Sequence, residues 1–419
     1  MATYCLYGEE LQRFSAISEN ASGIGYEWEG ESVVHLRLSP LAHSFGIEHT
    51  VRFVHGSRPE AGTEADYTVC VNAEGEALVW PKGACAPEPA TVIPAKENLY
   101  SRSKGLIEVG ILEGKRVLII GLGSFGSQIA VELAKSGVGQ FSLMDFDRVE
   151  LHNLVRHTAS LNDLGRLKTD FVRETILGKN PYASVDVFPV NINEHPDLLC
   201  SEVEKADLVI CATDNNQSRF NISEALVRQR KVGIFGRAIT RAEGGDVFRY
   251  RPGGPCYVCM IGNQWYKDMS EEITNEQSAR ANGQIAAYTS PEDADAMVQV
   301  GLSSDIEPMC NMMVKLSLIE LSRGAESGIS SLDDELTFPA YVWVNRRERH
   351  YRGFAPFDKC ANRPTIMRWY GLDLPRNEEC ALCGEKPKLS LGEDFVKDFD
   401  PELTRINTDF DDDISEALK

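Results

Sequence analysis

Three glycines with a fixed spacing follow a short apolar run and constrain the fold of this chain more than any other feature. Residues 117–120 are all apolar, and Gly121, Gly123 and Gly126 follow them directly. The next stretch, 127–135, carries apolar residues at helical spacing. A strand, a tight turn and a helix are therefore predicted, and the first N–H groups of such a helix can bind an anion.

The residues after this helix extend the same alternation of strand and helix. A second predicted strand, 141–145, ends at Asp145, about twenty residues beyond the glycines, where an acid can hold a ribose hydroxyl. Further patterns predict strands at 185–190, 207–211, 231–235, 341–345 and 350–353 and helices at 164–177, 218–229 and 306–323. The predicted fold class is α/β, with a doubly wound, mostly parallel, Rossmann-like sheet that binds a nucleotide at its carboxyl-terminal strand ends.

Two Cys-x-x-Cys pairs are separated by more than a hundred residues. Cys256 and Cys259 form the first pair, and Cys380 and Cys383 form the second. Each lies beside glycine or proline, a context that suits a closed tetrahedral thiolate site for Zn²⁺. Two unrelated pairs of reduced thiols, or a redox disulfide at one pair, are the alternatives.

Charge and composition limit the classes of partner. The formal net charge is −20, so long-range repulsion disfavours a nucleic-acid partner. No apolar stretch is long enough for a membrane helix, and the first residues lack the pattern of a signal peptide. We therefore expect no membrane partner and a cytoplasmic location.

An ordered set of short motifs surrounds the glycines. The motifs are Tyr100-Ser101-Arg102, Asp145-Phe146-Asp147, Val149, Asn153-Leu154, Arg156, Lys168 and Thr213-Asp214-Asn215 followed by Arg219. In order and spacing this set resembles the ThiF/MoeB superfamily, which includes the ubiquitin-activating enzymes. The resemblance covers about residues 99–384, and members often share the two cysteine pairs as a zinc knuckle.

The resemblance implies an adenylation domain that uses ATP and Mg²⁺. It implies that Arg156 and Lys168 contact the phosphates, that Asp214 positions Mg²⁺ and that Asp145 holds the ribose. Asn153 would help to bind the phosphates, and the remaining nucleotide contacts would come from Gly121, Gly123, Gly126, Asp147 and Asn215. In relatives the residue corresponding to Arg102 reaches the ATP of the other subunit, which implies a homodimer. Singly, Arg156 and Lys168 could instead be surface groups, and Asp214 could cap the following helix.

Three positions depart from the motif pattern. Ser124 replaces a glycine of the usual pair, Ser103 replaces the glutamine of the entry motif, and His157 replaces the glutamine after the second arginine. His157 can still donate a hydrogen bond but could also titrate. None of these changes removes a charge that adenylation needs.

Some relatives transfer the activated acyl group to a cysteine thiolate, and two cysteines are candidates here. Cys310 is expected at the start of a helix, whose N-terminus could lower its pKa, although the segment is rich in methionine and could be core. Cys360 has basic neighbours and is the second candidate. Alternatively no thioester forms and the adenylate passes directly to a partner.

The expected domains are an accessory α/β or β-rich domain at 1–95, the adenylation domain at 96–390 and an acidic tail at 391–419. Residues 260–305 are polar and are expected to form a mobile crossover excursion. The accessory domain could be a structural extension or a partner-docking module.

These observations favour an enzyme that activates the carboxyl terminus of a ubiquitin-like or sulfur-carrier protein, with possible transfer to a conjugating enzyme. Within the superfamily, the chain resembles the activating enzymes of bacterial, in part antiviral, ubiquitin-like conjugation operons. A tRNA-modification adenylyltransferase and a non-catalytic, heterodimerising scaffold are alternatives. A NAD-dependent oxidoreductase would leave Arg156, Lys168 and both cysteine pairs without a role.

Overall fold

The computed structural model describes residues 2–40, 46–59, 64–93, 99–262, 301–347, 357–358 and 363–385. These residues form two compact units, Met1–Arg102 and Ser103–Lys419. The predicted strand at 350–353, Cys360, most of the predicted excursion and the predicted acidic tail lie outside the described residues. In the described part of the chain, no helix has the length and apolar character needed to cross a membrane.

The first unit is a closed β-barrel, which confirms the predicted β-rich accessory domain. Its strands are β1 (Thr3–Tyr7), β2 (Ala21–Trp28), β3 (Val33–Arg37), β4 (Ile47–His55), β5 (Tyr67–Val71), β6 (Ala77–Pro81) and β7 (Glu88–Ile93), and its helix is α1 (Gly8–Ser15). The barrel order is β1-β3-β2-β4-β5-β6-β7, and β7 pairs back with β1. Alternate residues such as Val34 and Leu36 point into its core, as the period of a strand requires.

The second unit contains an eight-stranded sheet. Its strands are β8 (Arg116–Ile120), β9 (Gln140–Met144), β10 (Ser184–Phe188), β11 (Leu208–Cys211), β12 (Val232–Ala238), β13 (Gly244–Tyr250), β14 (Ala340–Val344) and β17 (Arg368–Leu372). Strands β15 (Phe357–Asp358) and β16 (Arg363–Pro364) pair with each other in a separate small sheet. The order is β10-β9-β8-β11-β12-β13-β14-β17. The first five strands are parallel, whereas β13, β14 and β17 add antiparallel pairs. The predicted doubly wound, mostly parallel sheet is confirmed, and β13 and β17 are strands that sequence reasoning missed.

Helices cover both faces of this sheet. They are α2 (Val109–Glu113), α3 (Ser124–Lys135), α4 (Lys168–Lys179), α5 (Pro196–Lys205), α6 (Asn216–Gln229), α7 (Tyr257–Ile261), α8 (Ser303–Ser322) and α9 (Ser331–Glu335). Val117 and Ile119 pack under α3, α4 and α8, whereas Leu118 and Ile120 pack with α5, α6 and α7. Because β8 is buried on both faces, it is apolar throughout rather than alternating.

The strand order also locates the crevice in which ligands bind. The chain passes from β8 to β9 on one side and later returns to β11 on the other side of β8. In open parallel sheets such a reversal opens a crevice beyond the carboxyl ends of the strands. The predicted glycine turn and the acids at 145 and 214 all lie at this edge.

Candidate functional site

A cavity of about 510 Å³ opens at the carboxyl ends of β8, β9, β11 and β12. Most of the predicted nucleotide contacts line it together, although they are scattered along the sequence. The lining includes Gly121, Gly123, Asp145, Asp147, Asn153, Arg156, Lys168, Asp214 and Asn215. The structure therefore brings one connected set of basic and acidic groups to one crevice.

The glycine turn needs glycine for two different steric reasons. Gly121 has a φ of +84°, and a Cβ there would lie 2.7 Å from the carbonyl oxygen of Ala212. A Cβ at Gly126 would lie 1.8 Å from the Gly121 carbonyl oxygen, so Gly126 lets α3 pack against the turn from behind the cavity. At Gly123, none of the described heavy atoms lies within 4 Å of a Cβ position, which leaves room for a ligand. Ser124, the departure from the usual glycine pair, begins α3.

Asp145 holds this turn in place. Its Oδ2 atom accepts a hydrogen bond from the Leu122 N–H at 2.6 Å, and its Oδ1 atom accepts one from the Asp147 N–H at 2.8 Å. Burial raises the pKa of Asp145, against the opposing effects of the Lys168 charge and these two N–H groups. The carboxylate therefore orders the loop around the cavity, and its contact with a ribose stays a prediction.

The two predicted phosphate contacts are both partly withdrawn from solvent. Lys168 begins α4, is buried, and donates to Asp147 Oδ2 at 2.9 Å. Burial lowers the pKa of the Arg156 guanidinium. Asn153 lies on the same wall, and its side-chain oxygen accepts the N–H of Glu150 at 3.0 Å. The opposite charge of a phosphate would favour the charged form of Arg156.

Asp214 is exposed to the cavity rather than used as a helix cap. The N-cap of α6 is Asn215, whose side-chain oxygen accepts the N–H of Ser218 at 2.9 Å. Arg219 donates to the Thr213 carbonyl oxygen at 2.7 Å and holds the preceding turn from the other side. The carboxylate of Asp214 thus stands on a loop that its neighbours order, in a position suited to a hydrated cation.

Two arginines of the cavity wall, Arg237 and Arg241, were missed by sequence reasoning. Arg237 at the end of β12 is buried and paired with Asp246, at 2.9 Å. Arg241 has a left-handed backbone with a φ of 63°, and its carbonyl oxygen accepts a hydrogen bond from Arg346. His157, described above as a departure from the motif pattern, also lines the cavity. A basic residue two positions after the predicted strand 231–235 was the available signal for Arg237.

Two predicted catalytic residues, Arg102 and Cys310, are not among the residues that line this cavity. Arg102 is an exposed residue that ends the first unit, and its reach to a neighbouring ATP stays a prediction. The expectation that Cys310 begins a helix is wrong, because α8 begins at Ser303 and Cys310 is buried among the core residues of its third turn. Burial raises the pKa of the Cys310 thiol instead of lowering it. The argument for an activated thiolate at Cys310 therefore fails.

The four cysteines of the two Cys-x-x-Cys pairs meet in the core on the other face of the sheet. Their Sγ atoms all lie within 4.8 Å of one another, and all four side chains are buried. The Cys256 Sγ atom lies 3.9 Å from that of Cys259 and 3.6 Å from that of Cys380, and the Cys259 and Cys383 sulfurs are 3.4 Å apart. A tetrahedral Zn²⁺ site with bonds of about 2.3 Å has sulfur–sulfur edges of about 3.8 Å. The donor set fits zinc, and a metal there would tie the 380–383 segment to α7.

Comparison with known proteins agrees with this fold. The model of the ThiF family matches residues 108–325, and the chain belongs to this family. A molybdopterin-synthase adenylyltransferase of Salmonella typhimurium is 36% identical over 151 residues, which cover 36% of this chain and 59% of that protein. The adenylyltransferase and sulfurtransferase MOCS3 of Aedes aegypti is 32% identical over 172 residues, covering 39% of this chain and 38% of that protein. The chain thus spans about three-fifths or less of these curated relatives.

Among solved structures, Escherichia coli MccB with AMPCPP and MccA resembles this chain at 19% identity and a TM-score of 0.48. That alignment covers 70% of this chain and 77% of MccB.

Proposed function

We propose that this protein is an ATP-dependent adenylyltransferase that activates the carboxyl terminus of a ubiquitin-like or sulfur-carrier protein. The observation that carries the proposal is the single cavity that gathers the glycine turn, Arg156, Lys168 and Asp214. Membership of the ThiF family supports it, as do the names of the relatives, which are adenylyltransferases.

The proposed reaction joins two anions, and the cavity is suited to that difficulty. A carboxylate oxygen of the substrate attacks the α-phosphorus of ATP, the bond from that phosphorus to the β-bridging oxygen breaks, and pyrophosphate leaves. Lys168 and Arg156 would offset the negative charge that builds up on the phosphates during this exchange. The start of α3 offers N–H groups to the same phosphates.

Asp214 would hold Mg²⁺ through its carboxylate, and such a cation supplies charge neutralisation at the leaving pyrophosphate. The exposed carboxylate on an ordered loop fits this role, because magnesium keeps several waters and takes one or two carboxylates. Asn215 then acts by ordering the loop through the α6 cap rather than as a ligand contact.

The proposed assembly is a homodimer in which Arg102 of a second copy completes the site. Its test is complementation between two inactive variants. Arg102→Ala and Lys168→Met should each be inactive alone. An equal mixture should regain up to about a quarter of native activity, because about half of the dimers are mixed and each mixed dimer carries one intact site of two. A mixture as inactive as its components would overturn shared sites.

The step after adenylation is a finer proposal. Of the two candidate nucleophiles, Cys310 is buried and Cys360 lies outside the described residues. We therefore propose adenylation as the chemistry of this chain, with direct transfer of the acyl group from the adenylate to a partner. A role in a bacterial antiviral conjugation operon, with transfer to a conjugating enzyme, rests on the family resemblance alone.

The test is ATP–pyrophosphate exchange with purified protein, Mg²⁺ and a ubiquitin-like protein that ends in a free glycine carboxylate. We expect exchange that depends on that carboxylate and that falls by about 10²-fold or more in Asp214→Asn. Lys135→Met, a change of an exposed residue on α3, is the matched control and should leave exchange unaltered. Exchange that is absent with every ubiquitin-like and sulfur-carrier protein tried, although ATP binds, would overturn the proposal.

A further inference from the structure

We propose that His157 is a positioning residue that holds the glycine turn in its nucleotide-binding conformation. The residue lies in the segment between β9 and α4, more than thirty positions from the turn that it contacts. The proposal rests on the ATP site proposed above and assigns it a further component, at a position where the motif pattern of relatives has glutamine.

Two backbone contacts define the hydrogen-bonding state of the His157 ring. The Nε2 atom lies 2.6 Å from the carbonyl oxygen of Leu122, and the Nδ1 atom lies 3.1 Å from the backbone nitrogen of Ala159. A carbonyl oxygen can only accept and a backbone N–H can only donate. The ring must therefore be neutral, with its proton on Nε2 and the lone pair of Nδ1 facing Ala159.

The contact with Leu122 orients the peptide group that leads into Gly123. In a trans peptide the C=O and N–H groups point in opposite directions. By binding the Leu122 carbonyl oxygen, His157 turns the Gly123 N–H away from itself at a glycine that lines the cavity. Asp145 binds the Leu122 N–H at 2.6 Å, so both ends of this residue are anchored by side chains.

The surroundings of His157 keep the ring in this neutral, fixed state. The residue is 8% exposed and packs against the Phe171 ring at a centroid distance of 5.5 Å. Burial and the nearby charge of Lys168 lower its pKa, while the Leu122 carbonyl oxygen and Asp163 oppose that shift. Protonation would place an N–H at Nδ1 opposite the Ala159 N–H, so the cationic ring cannot keep both contacts.

Asn180 offers a matched control at the opposite edge of the sheet. Asn180 is also buried. Its Nδ2 atom donates to the Val138 carbonyl oxygen at 2.9 Å, and its Oδ1 atom accepts the N–H of Tyr182, two residues further on, at 3.2 Å. Asn180 does not line the cavity described above. His157→Leu and Asn180→Leu therefore remove the same pair of contacts, one beside the nucleotide turn and one remote from it.

The test is calorimetric binding of a non-hydrolysable ATP analogue with Mg²⁺ to the full chain. We expect His157→Leu to raise the Kd about tenfold, since one well-placed hydrogen bond to the turn is lost. Asn180→Leu should lower the thermal midpoint but leave the Kd unchanged. His157→Gln, which can still donate to the Leu122 oxygen, should bind within about threefold of the native protein.

A second measurement keeps the proposal testable if His157→Leu does not fold. The Kd of the native protein should rise as the pH is lowered from 7.5 towards 5. The Kd of His157→Gln for the same analogue should rise less, because this variant has no imidazole ring to protonate at this position. Equal pH profiles for the native protein and His157→Gln, or unchanged binding by folded His157→Leu, would overturn the positioning role while leaving the ATP site intact. A native protein that binds no nucleotide would overturn both proposals.

Discussion

Lys168 and Asp147 form an ion pair at the wall of the cavity, with Lys168 Nζ 2.9 Å from Asp147 Oδ2. The two ends of the pair differ in exposure, since the lysine side chain is 10% exposed and the aspartate side chain is 51% exposed. The ammonium group is thus held in place before a ligand arrives, by a carboxylate that water can reach. A phosphate can displace the Asp147 carboxylate from the ammonium group, or bind the ammonium group together with it, without exposing the lysine stem.

Removing this ammonium group should weaken both nucleotide binding and turnover. We expect Lys168→Met to lower kcat/KM for ATP by about 10²-fold or more, because charge developing on the phosphates loses a nearby cation. Lys168→Arg should recover part of the loss. The measurement is pyrophosphate exchange as a function of ATP concentration. Native-like rates in Lys168→Met would show that the ion pair is structural only.

Zinc should be part of the folded protein. Metal analysis of the purified chain is expected to find one Zn²⁺ per chain, bound by Cys256, Cys259, Cys380 and Cys383. Burial raises the pKa of the Cys256 thiol, and a bound cation would favour its thiolate form. Cys380→Ser should lose the metal and lower the free energy of unfolding by several kcal/mol, on the order expected for a structural site.

The control for the metal prediction is Cys200→Ser, which changes a partly buried thiol outside the cluster. It should retain zinc and nearly native stability. Metal-free native protein, or a Cys380→Ser variant with unchanged thermal unfolding, would contradict the zinc site.

Thiol reactivity should follow burial rather than sequence context. Cys85 is exposed, whereas Cys310 is buried in α8 with a raised pKa, and only a thiolate reacts readily with iodoacetamide. We expect Cys85 to be alkylated at least about a hundredfold faster than Cys310 in the native protein, and the two rates to converge in denaturant. Peptide mapping by mass spectrometry measures both rates. Equal native rates would return Cys310 to the list of candidate nucleophiles.

Stability should depend on pH through His157. The pKa of His157 is lowered in the folded protein, whereas a histidine in the unfolded chain titrates at about pH 6.5. At pH values between these two pKa values, the unfolded chain binds more protons than the folded protein. Folding stability in this window therefore falls as the pH falls, by up to about 1.4 kcal/mol per pH unit. Urea unfolding of native protein and His157→Gln at pH 7.5, 6.5 and 5.5 isolates the effect as a difference. A difference that does not change with pH would contradict a buried neutral ring.

The local elements of the nucleotide site could be predicted from the sequence because short-range stereochemistry determines them. Gly121 must be glycine for its left-handed backbone, and the apolar run of β8 marks a strand buried on both faces. Asp145 and Asp214 each follow such a strand, so the parallel sheet brings them to one edge. The predicted set of cavity-lining residues followed from these local patterns and from the motif order.

Contacts between distant parts of the chain were decided only by the tertiary structure. Arg346 meets the carbonyl oxygen of Arg241 across more than a hundred residues, and Cys256 meets Cys380 across a similar span. Cys310 shows the same limit, because its helix begins at Ser303, about two turns before the cysteine, and buries the thiol in the core. Hydrophobic periodicity specifies a strand or a helix, but not which side chains meet once helices and strands pack. For that reason the chain itself determined the class of fold and the nucleotide turn, whereas packing decided the tautomer of His157 and the burial of Cys310.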